Sequence, residues 1–133
     1  MKTPPPKKKD VAPKHFINWF EIPASNIERA VSFYNRIFDL KMDTDEMNGY
    51  SMAFFPVESG VGGAIMCGEG SVPSQHGPLL YLNGGENLDK VLLKVEDAGG
   101  KVIMQKQKIN EENGYFALFI DSEGNKMALH SNA

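Results

Sequence analysis

The sequence contains one cysteine, Cys67, which excludes an intrachain disulfide and a zinc site built only from thiolates. It contains no apolar run near the ~20 residues that a membrane-spanning helix needs. No apolar segment follows the basic residues at the N-terminus, as a secretory signal peptide would require. These absences predict a protein without a membrane partner that works in the reducing cytoplasm.

Charge is distributed unevenly along the 133 residues. Residues 1–10 hold four lysines and one aspartate, which give them a net charge of +3. Because the whole chain carries −3, the remaining residues carry −6 and repel the phosphates of nucleic acids. We therefore expect no nucleic acid partner. Residues 1–14, rich in proline and lysine, are predicted to form a flexible basic leader, with a docking arm for an acidic partner as the alternative.

The rest of the chain, residues 15–133, has the length and composition of one globular domain. Its strand and helix signals occur twice in one order: strand, helix, strand, strand, strand. In the first half, Ser25 and Glu28 form a capping-box pattern that begins a helix over residues 26–38. In the second half, an apolar stripe predicts a helix over residues 87–98, ended by glycines.

A residue-level echo supports an internal duplication. Asn48-Gly49-Tyr50 recurs 65 residues later as Asn113-Gly114-Tyr115, and the same offset relates Phe54 to Phe119. We divide the domain into module 1 (about 15–68), a linker (69–76) and module 2 (about 77–133). The predicted fold class is α+β: two βαβββ modules whose curved mixed sheets pair around a groove, with the helices outside.

Several segments carry a family resemblance. They are Phe20–Pro23 and Glu28–Tyr34 in module 1, and Gly77–Asn83, Asp97–Val102 and Phe119–Asn125 in module 2. Through them, the chain from Phe16 onward resembles the vicinal oxygen chelate superfamily, which includes glyoxalase I, bleomycin-resistance proteins and extradiol dioxygenases. The resemblance implies paired modules around a ligand groove and a symmetric homodimer.

The metal-dependent enzymes of that superfamily place a His, Gln or Glu ligand on the first and last strand of each module. The resemblance puts these positions at Ile17, at Ile65 or Met66, at Pro78 and at Ala128, whose side chains do not ligate a divalent cation. We therefore expect no cofactor, and a divalent metal only through a non-standard site.

Glyoxalase I also carries an arginine for the glutathione carboxylate, four residues after its first metal ligand. This chain has Glu21 there, and two facing carboxylates repel each other. Glu21 instead favours a cationic or hydrogen-bond-donating ligand. The other interpretation is that Glu21 pairs with a lysine or caps backbone amides.

A set of aromatic, thioether and polar residues is predicted to line the groove, because strand alternation places them on one face. Core packing is the other interpretation of each. The candidate ligand-binding residues are Trp19, Glu21, Tyr50, Met52, Phe54, Met66, His76, Tyr115, Phe119 and His130.

Two histidines offer a displaced metal site. His76 and His130 each lie two residues from a lost ligand position, and antiparallel pairing of the fifth and eighth strands would bring them together. Surface histidines without a metal are the other interpretation. The leading prediction is therefore metal-independent binding of a small apolar or aromatic molecule. The alternatives are a metal-dependent lyase or isomerase of glyoxalase type that uses the displaced site, and a protein-interaction module.

Overall fold

The computed structural model describes residues 12–133, so residues 1–11 of the predicted leader lie outside the described residues. Module 1 comprises β1 (Trp19–Ala24), α1 (Ile27–Phe38), β2 (Asp45–Met47), β3 (Tyr50–Phe54) and β4 (Gly62–Cys67). Module 2 comprises β5 (Tyr81–Asn83), α2 (Asp89–Leu92), α3 (Val95–Ala98), β6 (Lys101–Asn110), β7 (Gly114–Ile120) and β8 (Lys126–Ser131). Between residues 12 and 133, no helix combines the length and apolarity needed to cross a membrane.

The strands form two four-stranded mixed sheets, one in each module. Their orders are β1-β4-β3-β2 and β5-β8-β7-β6. In each sheet the first strand pairs in parallel with the last, and the other neighbours are antiparallel. The predicted α+β class with two βαβββ modules is confirmed, and the two sheets do not close on each other.

The predicted antiparallel pairing of the fifth and eighth strands is wrong, because β5 and β8 run parallel. The helical crossover after β5 returns the chain to the side on which β5 began, so β6 runs in the direction of β5. Two antiparallel steps, from β6 to β7 and from β7 to β8, then restore that direction. Residue numbers in β5 and β8 therefore increase together.

Both modules share one hydrophobic core, in which α1 is central. α1 buries Ala30, Val31, Phe33, Tyr34 and Ile37. The ring of Phe33 lies 6.1 Å from that of Phe119 on β7, and the ring of Tyr34 lies 5.6 Å from that of Phe55 after β3. α1 also contacts α2 and α3. Each sheet therefore turns one face toward the helices and the other away from the core.

The first helix begins where the sequence predicts, but other residues cap it. The N-cap is Asn26, whose side chain accepts a hydrogen bond from the Arg29 amide at 3.0 Å. The amides of Ser25 and Asn26 donate to the carboxylate of Glu123, at 2.9 Å each, and so Glu123 takes the place expected for Glu28. A residue of module 2 thus caps the first helix of module 1.

The second predicted helix is divided into two short helices, α2 and α3. Between them the Lys94 amide bonds to the carbonyl of Val91, three residues back, which is the tighter pattern of a 3₁₀ turn. The predicted apolar stripe is nevertheless buried, through Leu88, Val91, Leu92 and Val95. Gly99 ends α3 with φ of 112°, the left-handed conformation that the sequence predicts for it.

Candidate functional site

The face of each sheet that points away from the core is the candidate site, and we call it the open face. Phe20, Ile22 and Ala24 of β1 contact the core, so the alternate residues point away from it. The first open face includes Trp19, Glu21, Asp45, Met47, Met52, Phe54, Ala64 and Met66. By the same alternation, the second open face comprises Tyr81, Asn83, Phe116, Leu118, Ala128 and His130.

An aromatic pair dominates the first open face. The ring centroids of Trp19 and Phe54 are 6.1 Å apart, and the two side chains are 49% and 48% exposed. Trp19 lies beside Gly62, where a Cβ atom would come within 3.6 Å of the indole and 2.9 Å of Val57. Glycine at this position therefore leaves room for the Val57 side chain, whereas a Cβ would make only ordinary contact with the indole. The carboxylate of Glu21 is exposed next to Ala64, its strand neighbour.

The other predicted residues of module 1 contribute to packing within the module. Met52 is buried and pairs with Met66 across β3 and β4. The Tyr50 hydroxyl donates to the carbonyl of Glu69 at 2.9 Å. Its ring lies so close to Gly68 that any side chain there would collide with it. Tyr50 therefore fixes the loop that follows β4.

A shallow depression of about 360 Å³ lies at the ends of β5 and β8, beside the second open face. It is lined by Tyr81, Leu82, Asn83, Gly85, His130, Ser131 and Asn132. Tyr81 is 54% exposed, and its ring centroid lies 6.4 Å from that of Phe116. A second depression, of about 540 Å³, lies beside Phe54, and its charged and polar lining residues are Lys41, Asp43, Thr44 and Asp45.

The positions expected for Tyr115 and Phe119 are corrected. Phe119 is 0% exposed, and Tyr115 packs against the same core with the Lys106 ammonium 5.0 Å from its ring centroid. An offset of 64 residues relates β3 and β4 to β7 and β8: Met52 pairs with Met66 as Phe116 pairs with His130. The sequence echo had an offset of 65, and a slip of one residue moves every side chain to the opposite face.

Sequence analysis therefore missed Phe116, Tyr81 and Asn83. The offset of 64 would have identified Phe116 as the counterpart of Met52. Alternation along Leu80, Tyr81 and Leu82 would have placed Tyr81 on the open face. The repeated Asn-Gly-Tyr turn suggested the wrong offset because turns tolerate insertions that strands do not.

The two histidines of the predicted displaced metal site do not come together. His76 belongs to the loop near the start of β8, where the Lys126 amide bonds to the carbonyl of Ser74. His130 lies near the other end of β8, and its Nε2 is 2.6 Å from the carbonyl oxygen of Asn113. Parallel pairing of β5 and β8 accounts for this separation.

The side chains of the open faces do not fit the metal that the family resemblance implies. Among the described open-face residues, the metal-ligating groups are the carboxylates of Glu21 and Asp45 on the first sheet and the imidazole of His130 on the second. Across residues 12–133, no three His, Cys, Asp or Glu side chains are grouped so that they could hold a metal ion. The donor set therefore lacks the three protein ligands typical of a catalytic metal site.

A polar junction holds α1 against the turn between β7 and β8. The carboxylate of Glu123 pairs with the Arg29 guanidinium, with distances of 2.7 Å from Nε and 3.0 Å from Nη2. The buried Tyr34 hydroxyl donates to Asp121 at 2.6 Å. The Nδ2 group of Asn125 donates to the carbonyl of Pro23 at 2.7 Å. The junction thus fixes the end of β1 and the start of α1 relative to module 2.

Two pKa values at the junction are displaced from their ordinary values. Burial raises the pKa of Tyr34 well above 10, and the nearby negative charge of Asp121 raises it further, so the phenol stays a neutral donor. Burial by itself would raise the pKa of Glu123. Its hydrogen bonds with Arg29, with the Asn26 and Ser25 amides and with Ser122 outweigh burial, and the pKa is lowered from 4.5.

Comparison with protein families gives one match that covers most of the chain. Residues 16–129 match the model described as "Glyoxalase/Bleomycin resistance protein/Dioxygenase superfamily". No curated protein matches the sequence significantly.

Solved structures share the fold at low sequence identity. A glyoxylase/bleomycin resistance protein/dioxygenase domain from Frankia sp. EAN1pec has a TM-score of 0.69 and 14% identity, covering 90% of this chain and 98% of that one. A glyoxalase I mutant from Zea mays has a TM-score of 0.63 and 19% identity over 86% of this chain. The match covers 45% of the maize chain, so this chain spans about half the length of that enzyme.

The trypanothione-dependent glyoxalase I of Leishmania major has a TM-score of 0.61 and 13% identity, covering 90% of this chain and 88% of that one. At these identities, the likeness establishes the fold alone.

Proposed function

Because the chain belongs to the glyoxalase/bleomycin resistance protein/dioxygenase superfamily, we propose that it binds a small planar apolar or aromatic molecule on its open faces, without a resident metal. The observation that carries this proposal is the half-exposed pair of Trp19 and Phe54 on a sheet surface. Removing apolar surface from water contributes about 25 cal/mol per Å², and aromatic rings add a preference for stacked or tilted partners.

Glu21 gives the proposed site its charge preference. Its carboxylate is exposed beside the aromatic pair, and no hydrogen bond or ion pair engages it within residues 12–133. A ligand with a positive charge or an N–H or O–H donor would satisfy this group, whereas an anionic ligand would be repelled.

A second copy of the chain completes the site in this proposal. The shared core uses the helix-bearing face of both sheets, so both open faces carry half-exposed aromatic residues. A symmetric homodimer would cover these surfaces and enclose a ligand between them. We also propose a cytoplasmic location. The half-buried thiol of Cys67 is free, as the reducing cytoplasm keeps thiols.

The alternative of a lyase or isomerase that uses a metal on His76 and His130 has no geometric support, since the two residues lie near opposite ends of β8. The alternative of a protein-interaction module is tested by the quinoline experiment below.

Quinoline, a neutral planar bicyclic molecule, is a suitable probe. We expect it to raise the melting temperature of the protein, because a ligand at 100 times its Kd stabilises by about 2.7 kcal/mol. Trp19→Ala should weaken quinoline binding by about tenfold, equivalent to ~1.4 kcal/mol. It should change the melting temperature without ligand by only a few degrees, since the indole is half exposed.

Leu93→Ala is the matched control, because Leu93 is 81% exposed beyond the end of α2, outside both open faces. It should bind quinoline as the unmodified protein does. The proposal is wrong if quinoline leaves the melting temperature unchanged, and an interaction module is then favoured. It is equally wrong if the two variants bind quinoline alike.

A further inference from the structure

Two polar side chains stand side by side on the second open face. Asn83 on β5 and His130 on β8 are direct partners in the parallel register. Adjacent strands are about 4.8 Å apart, so their side chains reach the same volume of solvent. Both line the depression of about 360 Å³.

The hydrogen bond of His130 fixes which of its nitrogens is free. Nε2 lies 2.6 Å from the carbonyl oxygen of Asn113, and a carbonyl oxygen only accepts. Nε2 of the neutral imidazole therefore carries the proton, and Nδ1 carries the lone pair. Nδ1 forms no hydrogen bond with any group in residues 12–133. His130 thus presents an acceptor to a ligand.

The hydrogen bond of Asn83 fixes its amide in the complementary orientation. The Gly85 amide donates to Oδ1 of Asn83 at 2.8 Å, so Oδ1 faces the backbone turn. The Nδ2 group has no acceptor within the described part of the chain and is free to donate. A donor and an acceptor are therefore fixed next to each other.

The surroundings of this pair are aromatic and uncharged. Phe116 is the partner of His130 on its other side, and Tyr81 pairs with Ala128. The rings of Tyr81 and Phe116 contact each other in a tilted arrangement, with their centroids 6.4 Å apart, and form one aromatic surface beside the polar pair. None of the described residues that line the depression is acidic, lysine or arginine.

We infer that Asn83 and His130 form a subsite for a neutral, planar aromatic lactam, a ring in which an N–H group adjoins a carbonyl. The lactam N–H donates to Nδ1 of His130, its carbonyl accepts from Nδ2 of Asn83, and its ring packs on the exposed aromatic surface of Tyr81 and Phe116. This inference rests on the proposed function, because it names the chemical class of ligand that the open faces take.

Two probes test the inference on the unmodified protein, and they differ in whether the ring nitrogen carries a hydrogen or a methyl group. 2-Quinolone has the adjacent N–H and carbonyl, and N-methyl-2-quinolone lacks the donor. Titration followed by amide chemical shifts should show that N-methylation weakens binding about tenfold, the value of one hydrogen bond. The largest shifts should occur at Asn83 and His130. Equal affinities for the two probes would overturn the inference.

Two variants with a matched control assign the contacts. His130→Phe removes the acceptor and keeps a planar ring, and Asn83→Asp keeps the acceptor for the Gly85 amide while replacing the donor. His130→Phe should lower the affinity for 2-quinolone about tenfold and leave that for N-methyl-2-quinolone nearly unchanged, because only 2-quinolone donates to His130. Asn83→Asp should lower the affinity for both probes, because both keep the carbonyl that accepts from Asn83. His76→Phe removes an exposed histidine from a loop and should change neither. Loss of 2-quinolone binding in His76→Phe to the same extent would contradict the assignment.

The protonated nitrogen of His130 is observable without any ligand. Nitrogen-15 spectra of the imidazole should show a proton on Nε2 and an unprotonated Nδ1 at neutral pH. A proton on Nδ1 would overturn the inference. Quinoline distinguishes failure of the lactam subsite from failure of the proposed function. If Trp19→Ala still weakens quinoline binding, the proposed binding of small molecules stands and only the lactam subsite is wrong.

Discussion

At the scale of single residues, the open faces combine apolar surface with very few charges. Trp19 is the single tryptophan of the chain and is half exposed beside Phe54. Glu21 is the charged residue two positions after Trp19 on the same face of β1, and Lys41, Asp43 and Asp45 lie near Phe54. An exposed charge acts through a high dielectric constant, so its effect on a ligand is modest and sensitive to salt. The side chain of Glu21 nevertheless sets the sign of the preferred ligand charge.

Replacing Glu21 should therefore remove a preference for cations. We expect the protein to bind N-methylquinolinium several-fold more tightly than 2-naphthoate at low salt, since a charge pair at 4 Å in water is worth ~1 kcal/mol. Glu21→Gln should abolish most of this difference, as measured by calorimetric titration. Glu28→Gln, which makes the same change in net charge at an exposed position of α1, should preserve this difference. Equal ratios in the two variants would show that Glu21 does not contact the ligand.

At the scale of elements, the orientations of β1 and β7 were predicted from different observations. Alternation along β1 placed Trp19 and Glu21 correctly, because its core residues Phe20 and Ile22 are strongly apolar. β7 is apolar on both faces, so alternation alone does not orient it. The repeat offset decided its orientation, and the error of one residue moved Tyr115 and Phe119 to the wrong face.

The junction between modules could not be predicted from local patterns. Glu123 lies 94 residues beyond Arg29, and no spacing rule connects them. The capping-box pattern of Ser25 and Glu28 was present, but Glu123 took its place because folding brings the β7–β8 turn to the start of α1. Pairings of this kind depend on the packing of whole elements.

This junction predicts an acid-sensitive stability. The pKa of Glu123 is lowered on folding, so its contribution is complete above the unfolded value, about 4.3, and is lost as pH falls through the lower folded pKa. Glu123→Gln should lower the free energy of unfolding at pH 7 by about 1–3 kcal/mol. Urea unfolding should show this gap narrowing from pH 5 to pH 3.

Glu86→Gln is the control for this measurement, because Glu86 is exposed and forms no ion pair within residues 12–133. The free energy of unfolding of Glu86→Gln should equal that of the unmodified protein at every pH. A gap between Glu123→Gln and the unmodified protein that stays constant down to pH 3 would show that the charge of Glu123 contributes nothing to the junction.

At the scale of the whole molecule, the shared core leaves both open faces uncovered. The family resemblance predicted the two sheets, and α1 joins their helix-bearing faces in one chain. The homodimer follows as a proposal from the half-exposed aromatics on both faces.

Light scattering coupled to size exclusion measures the assembly directly. We expect about twice the chain mass of 14.7 kDa at micromolar concentration. Phe54→Glu should shift the mass to that of one chain, because a carboxylate on the open face opposes burial of that face. Leu93→Glu, a charge on the helical side, should leave the dimer intact. A single-chain mass for the unmodified protein would contradict the dimer.

The central claim is that the open faces bind an aromatic ligand without a metal. The most direct test follows the indole N–H signal of Trp19, the single tryptophan, during titration with quinoline after metals have been removed by a chelator. The account predicts a saturable shift in the metal-free protein, with a Kd that Zn²⁺, Ni²⁺, Mn²⁺ or Fe²⁺ leaves unchanged. A shift that appears only after stoichiometric metal is restored would contradict it.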